Sequence, residues 1–209
     1  SNTSVILGND AILQCNVLYQ EDDTQVFWRK VQDGSDLLSL NNRSLTTRKY
    51  KIEGTYHLIV KDAALADEGD YECDTGEESV RVSLTVLVMM QNMTVSWGVP
   101  IPFDVGKPVN MTCKSINSRP AASLRWYRGA HDITHLTTSL QTTTRANGYG
   151  DTVSTIGSVA VSEDVPFRCV ADLPDHEAVR TEFLFPPVIS TFSFTRIIAI
   201  IFIYFSLSC

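Results

Sequence analysis

Five thiols are the residues best suited to covalent chemistry in this 209-residue chain: Cys15, Cys73, Cys113, Cys169 and Cys209. None forms a C-x-x-C pair, and no histidine stands at zinc-finger spacing from two of them, so a structural metal is not indicated. Cys15 and Cys73 lie 58 residues apart, and Cys113 and Cys169 lie 56 apart. Two wide, near-equal intervals in consecutive halves look like one disulfide in each half, which places the chain in an oxidising compartment. Four N-x-S/T triplets agree, headed by Asn2, Asn42, Asn92 and Asn110. Each is an acceptor for an N-glycan in a secreted chain. The chain opens at SNTSVILG without an initiator Met or a signal-like apolar run, which reads as a mature or trimmed N-terminus.

Other candidate chemistry is weak. His131 and His135, in HDITH, would share a helix face and could hold a metal there. The segment closely follows Trp126 and is expected to be strand or loop. In a strand such a pair sits roughly 13 Å apart, so both read as surface histidines. Asp22 and Asp23, in YQEDDTQ, could meet calcium, but no EF-hand pattern surrounds them, and a solvated loop is the better reading. There is no G-x-S-x-G, H-E-x-x-H or phosphate loop, so neither an enzyme nor a cofactor is expected. A net charge of −7 argues against non-specific nucleic-acid binding, which relies on clustered Lys and Arg.

The elements that must position the cysteines repeat. The first half reads AILQC, VFWRK, YHLIV and DYEC; the second reads VNMTC, LRWYR, TVSTIGSV and PFRC. In each half a tryptophan follows the first cysteine at the same offset, Cys15 to Trp28 and Cys113 to Trp126. An aromatic stands two places before the second cysteine, Tyr71 or Phe167. Residues i and i+2 of a strand share a face, so Ala11, Leu13 and Cys15 point one way, as do Val109, Met111 and Cys113. Frequent β-branched residues, with Gly, Asn and Pro breaking the segments, make the chain all-β.

The Cys…Trp…Cys spacing on such strands resembles the immunoglobulin fold. That resemblance implies two tandem immunoglobulin-like β-sandwiches, variable-type over residues 1–88 and constant-like over 89–187. Each disulfide would join two sheets against its indole. Tyr71 and Cys73 would face inward on the sixth strand, with the Tyr71 hydroxyl bonding the loop before it and Gly69 allowing the turn. Asp67 would pair with Arg48 or Lys49, at the head of the fourth strand. The second half has Val165 and Phe167 in place of Gly69 and Tyr71, so its corner must be built differently. In the first half, LLSLNNRSL leaves room for extra strands.

The second half, with Ser118-Arg119-Pro120-Ala121 and Trp126-Tyr127, resembles the second domain of the nectin, nectin-like and nephrin/Kirre adhesion proteins. This implies a cell-surface protein that binds another immunoglobulin-family ectodomain, itself or a relative, through the first domain. By position, the outward residues of that sheet are Phe27, Arg29, Glu72, Asp74, Arg81 and Ser83, with Leu38 or Leu40 on the adjoining strand. Val82, Leu84 and Val86 would face inward. A secreted decoy or immune-type binder without an anchor is the alternative. The link near Val88 has no Gly/Ser run, which predicts a stiff, rod-like tandem.

Residues 188–209 form a hydrophobic tail containing the mainly apolar run Ile197–Leu207. A spanning helix needs about 20 residues. Three readings stand open: a GPI-attachment signal with a small residue such as Ser190 near the cleavage site, a partial membrane segment, or non-native sequence such as translated intron. In the last case Cys209 is an unpaired thiol.

Overall fold

The computed structural model describes residues 1–16, 25–31, 36–98, 108–160 and 165–185. Strand-period alternation sets the layers. Ala11, Leu13 and Cys15 are buried, while Ile12 and Gln14 face solvent. Val109, Met111 and Cys113 are buried in the same way. Each half therefore has an apolar face that is covered only by a second sheet.

In the first half the strands are β1 (Asn2–Ile6), β2 (Ala11–Leu13), β3 (Phe27–Val31), β4 (Asp36–Leu40), β5 (Arg43–Ser44), β6 (Tyr50–Glu53), β7 (His57–Val60), β8 (Gly69–Asp74) and β9 (Ser79–Leu87). They form one sheet in the order β1-β9-β8-β3-β4-β5 and a second in the order β2-β7-β6. β1 runs parallel to β9. The LLSLNNRSL segment supplies β4 and β5 at the sheet edge; setting those two aside, β8 is the sixth strand.

In the second half the strands are β10 (Asn92–Trp97), β11 (Pro108–Ser118), β12 (Ser123–Arg128), β13 (His131–Asp132), β14 (Thr137–Thr144), β15 (Gly150–Ala160), β16 (Phe167–Leu173) and β17 (His176–Leu184). The sheets run β10-β11-β15-β14 and β13-β12-β16-β17. His131 lies on β13 and His135 in the short 3-10 turn Thr134–Leu136, both exposed. Asp22, Asp23 and residues 188–209 lie outside the described residues.

Each core is built around a sulfur bridge and an indole. Cys15 is bonded to Cys73 and Cys113 to Cys169, with Cα separations of 5.8 and 6.4 Å. Trp28 and Trp126 are fully buried. Their ring N–H groups find different acceptors: Trp28 donates to the Tyr56 carbonyl at 2.6 Å, Trp126 to the Ser154 hydroxyl at 3.0 Å. A buried indole needs such a partner because an unpaired N–H carries its full desolvation cost.

The two corners diverge as their sequences do. Gly69 opens β8 at a φ of 129°, a conformation side chains disfavour. Tyr71 is buried and donates its hydroxyl to the Asp67 carbonyl at 2.6 Å. Burial holds its phenol well above the usual tyrosine pKa. Lys49, not Arg48, pairs with Asp67 at 2.5 Å. In the second half Phe167 keeps the packing without the hydroxyl, meeting Trp97 edge-on at 6.0 Å and 85°. A cation covers the ring in both corners: Lys30 lies 5.5 Å from the Tyr71 centroid and Arg128 lies 5.6 Å from that of Phe167. The internal repeat thus extends to the cation–π contact.

Candidate recognition surface

β3, β8 and β9 bring the outward residues of the first half into rows. Trp28, Tyr71, Cys73, Val82, Leu84 and Val86 are buried. Their neighbours must therefore point away from the core, since strand side chains alternate. Register places Arg29 opposite Glu72, and Glu72 opposite Arg81. The next row carries Phe27 opposite Asp74.

The charges in these rows are linked. Arg29 pairs with Asp74 and lies 3.6 Å from Glu72, and Arg81 reaches Glu72 at 3.3 Å. Two cations and two carboxylates balance along the chain Arg81–Glu72–Arg29–Asp74. Partly exposed pairs of this kind contribute only about 0–1 kcal/mol to stability. Their effect is to hold four long side chains in one pattern beside an apolar strip.

That strip agrees with the sequence expectation for β4 at Leu40 and departs from it at Leu38. Leu38 is buried, while Leu37 and Leu40 are exposed. The cause is a register shift against β3: Trp28 faces Ser39, whereas Arg29 faces Leu37. Leu38 is the extra residue of a bulge, and period-2 counting fails across one. Phe27 sits opposite Leu40. Phe27, Arg29, Leu37 and Asp74 line a shallow groove of about 330 Å³. Sequence alone does not single out Leu37: the LLSL run is the available signal, but the bulge hides its direction.

The four sequon asparagines, Asn2, Asn42, Asn92 and Asn110, are all exposed. Among the described residues no group of three or more His, Cys, Asp or Glu is placed to hold a metal ion. No helix of the described residues is long and apolar enough to cross a membrane.

Known proteins match this geometry. Residues 1–88 match the immunoglobulin I-set domain, and residues 91–179 the CD80-like C2-set immunoglobulin domain. Rat Kin of IRRE-like protein 1 is 31% identical over 136 residues, 61% of this chain and 17% of that protein. Human cell adhesion molecule 2 is 30% identical over 138 residues, 63% of this chain and 31% of that protein. The match thus spans less than a third of either relative's length. The crystal structure of the mouse nectin-like molecule 4 ectodomain superposes with a TM-score of 0.56 at 22% identity, covering 88% of this chain and 64% of that one. Bovine butyrophilin superposes at 0.54 with 14% identity, covering 90% and 96%. Two sandwiches, each with its bridge and indole, and matches in both halves lead to one conclusion: the chain belongs to the immunoglobulin superfamily, carrying an I-set domain followed by a C2-set domain, with cell adhesion molecules among its relatives.

Proposed function

We propose that this chain is the recognition part of a cell-surface adhesion protein, and that it docks another immunoglobulin-family ectodomain on the β9-β8-β3-β4 face of its first domain. The observation that carries this is the groove lined by Phe27, Arg29, Leu37 and Asp74. It sets an aromatic ring and an arginine, residue types enriched at the centres of protein interfaces, beside the exposed Leu37. The charge ladder of Arg29, Glu72, Asp74 and Arg81 is internally balanced, so a partner desolvates a neutral patch rather than a net charge. The relatives named above, adhesion molecules in part, support the same reading.

Binding of the purified chain to itself and to a panel of immunoglobulin ectodomains, by surface plasmon resonance, tests it. Phe27→Asp is expected to weaken the interaction at least about tenfold, the range of a central interface residue. Leu140→Asp, an exposed apolar position on β14 of the second domain, is the control and should change nothing. Unchanged affinity of Phe27→Asp removes the proposed face. Anchoring through residues 188–209 belongs to the same proposal. Release of surface-expressed protein by phosphatidylinositol-specific phospholipase supports a lipid anchor, and recovery of intact protein from the medium instead favours the secreted binder.

A further inference from the structure

Two motifs of the sequence have no part in the recognition face. One is Asp67-Glu68-Gly69, ahead of Tyr71; the other is Ser118-Arg119-Pro120-Ala121, which runs from the last residue of β11 toward β12. The fold brings them together across the junction of the two domains. Arg119 donates from both terminal nitrogens to the two carboxylate oxygens of Glu68, at 2.6 and 2.7 Å. The same guanidinium donates to the Val86 carbonyl at 2.9 Å and to the Asn147 carbonyl at 3.3 Å. Glu68 is held in turn by the Val86 N–H at 2.8 Å. Val88 and Arg119 exchange backbone hydrogen bonds at 2.8 and 2.9 Å. Both side chains of the ion pair are about three-quarters buried.

The surroundings keep this arginine in place. Gly148 has a φ of 81°, and a Cβ there would come within 3.0 Å of Arg119 Nε. Leu87, the last residue of β9, and Met90 are buried in the second domain's core, so the connector is itself packed. A separate contact lies elsewhere on the junction, where Ser4 donates its hydroxyl to Asp175 at 2.6 Å. Only a planar fork with several fixed donors can serve a bidentate carboxylate and two carbonyls at once, which lysine cannot do.

We infer that Glu68 and Arg119 form an inter-domain lock that fixes the angle at which the first domain is presented by the second. Arg119 is a positioning residue: it reaches β9 only at the Val86 carbonyl and is not among the residues that line the groove, but it sets the direction of the face. Its consequence for adhesion rests on the recognition reading above; the lock does not. Adhesion between two surfaces depends on many receptors engaging at once, and that engagement fails when geometry forbids it. A loosened junction therefore costs multivalent adhesion without touching single-molecule affinity.

Residual dipolar couplings of the isotope-labelled full chain test the lock. One alignment tensor should fit both domains of the unaltered protein. Arg119→Met and Glu68→Gln should each give the domains different tensors, with the alignment of one falling below about half that of the other, while chemical shifts of β3 and β16 stay in place. Arg119→Lys should not restore a common tensor. Should Arg119→Met fail to fold, Glu68→Gln carries the test from the other domain. A common tensor retained in both variants, or separate tensors in the unaltered chain, overturns the lock. Weakened adhesion between coated beads with unchanged monovalent affinity supports its functional consequence. Intact bead adhesion with separated tensors refutes that consequence alone.

Discussion

Tyr71→Phe isolates one hydrogen bond in the first domain's core. The ring stays, so packing is conserved and only the hydroxyl is lost. In the native protein that hydroxyl donates to the Asp67 carbonyl at 2.6 Å and interacts with the Tyr50 phenol. Tyr50 is only half-buried and can turn to water. The Asp67 carbonyl loses the donor that the buried ring supplied. A buried polar group left in this way costs about 1–2 kcal/mol, equivalent to an opening equilibrium roughly 5–30 times more favourable. Native-state hydrogen exchange resolves this by domain. Amides of β2, β3 and β8 should exchange roughly 5–30-fold faster, and those of β12 and β16 should not change. The second domain is the natural control, since Phe167 already occupies the equivalent place without a hydroxyl. Exchange in β8 unchanged within about twofold would show that the Tyr71 bond contributes nothing net. Equal acceleration in β16 would show that the domains do not open separately.

Mass mapping of non-reduced peptides should return only the 15–73 and 113–169 linkages, and the Cys15→Ala/Cys73→Ala pair should destabilise the first domain by about 2–5 kcal/mol in urea titrations. Hydrogen bonding from Arg119 holds the Glu68 carboxyl below its usual pKa. A depressed carboxylate contributes stability that is complete above the ordinary value of about 4.3 and is lost only as pH falls through the lower folded value. The common alignment tensor should therefore persist from pH 7.4 to about 5; domains that separate already at pH 5.5 contradict the assignment. Peptide N-glycosidase treatment of protein secreted from animal cells should leave aspartate at Asn2, Asn42, Asn92 and Asn110, the four exposed sequon positions. An unmodified asparagine at any of them in all molecules removes that site.

The shared plan of the domains hides two different solutions to one problem. Each must seat the aromatic that stands two places before its second cysteine. The first domain does so with Gly69, the Tyr71 hydroxyl and the Lys49–Asp67 pair. The second lacks these residues and rests Phe167 against Trp97 and beneath Arg128. Buried aromatic surface substitutes there for a directional bond, which explains why a phenylalanine suffices.

The cysteine intervals, the tryptophan offset and the period-2 pattern determined the all-β class, the two bridges and the inward faces, because each depends on neighbours a few residues away or on a single long-range bond. Alternation likewise placed Phe27, Arg29, Glu72, Asp74 and Arg81 on one outward side. Tertiary structure alone decided three things. The bulge in β4 turned Leu38 inward and Leu37 outward, and a bulge is set by pairing with another strand. A T-shaped contact with Trp97 completed the packing of Phe167 from a strand remote in sequence. Glu68 met Arg119 because the docking of two folded bodies brings together residues 51 positions apart, and no local pattern along a chain encodes the angle between its domains.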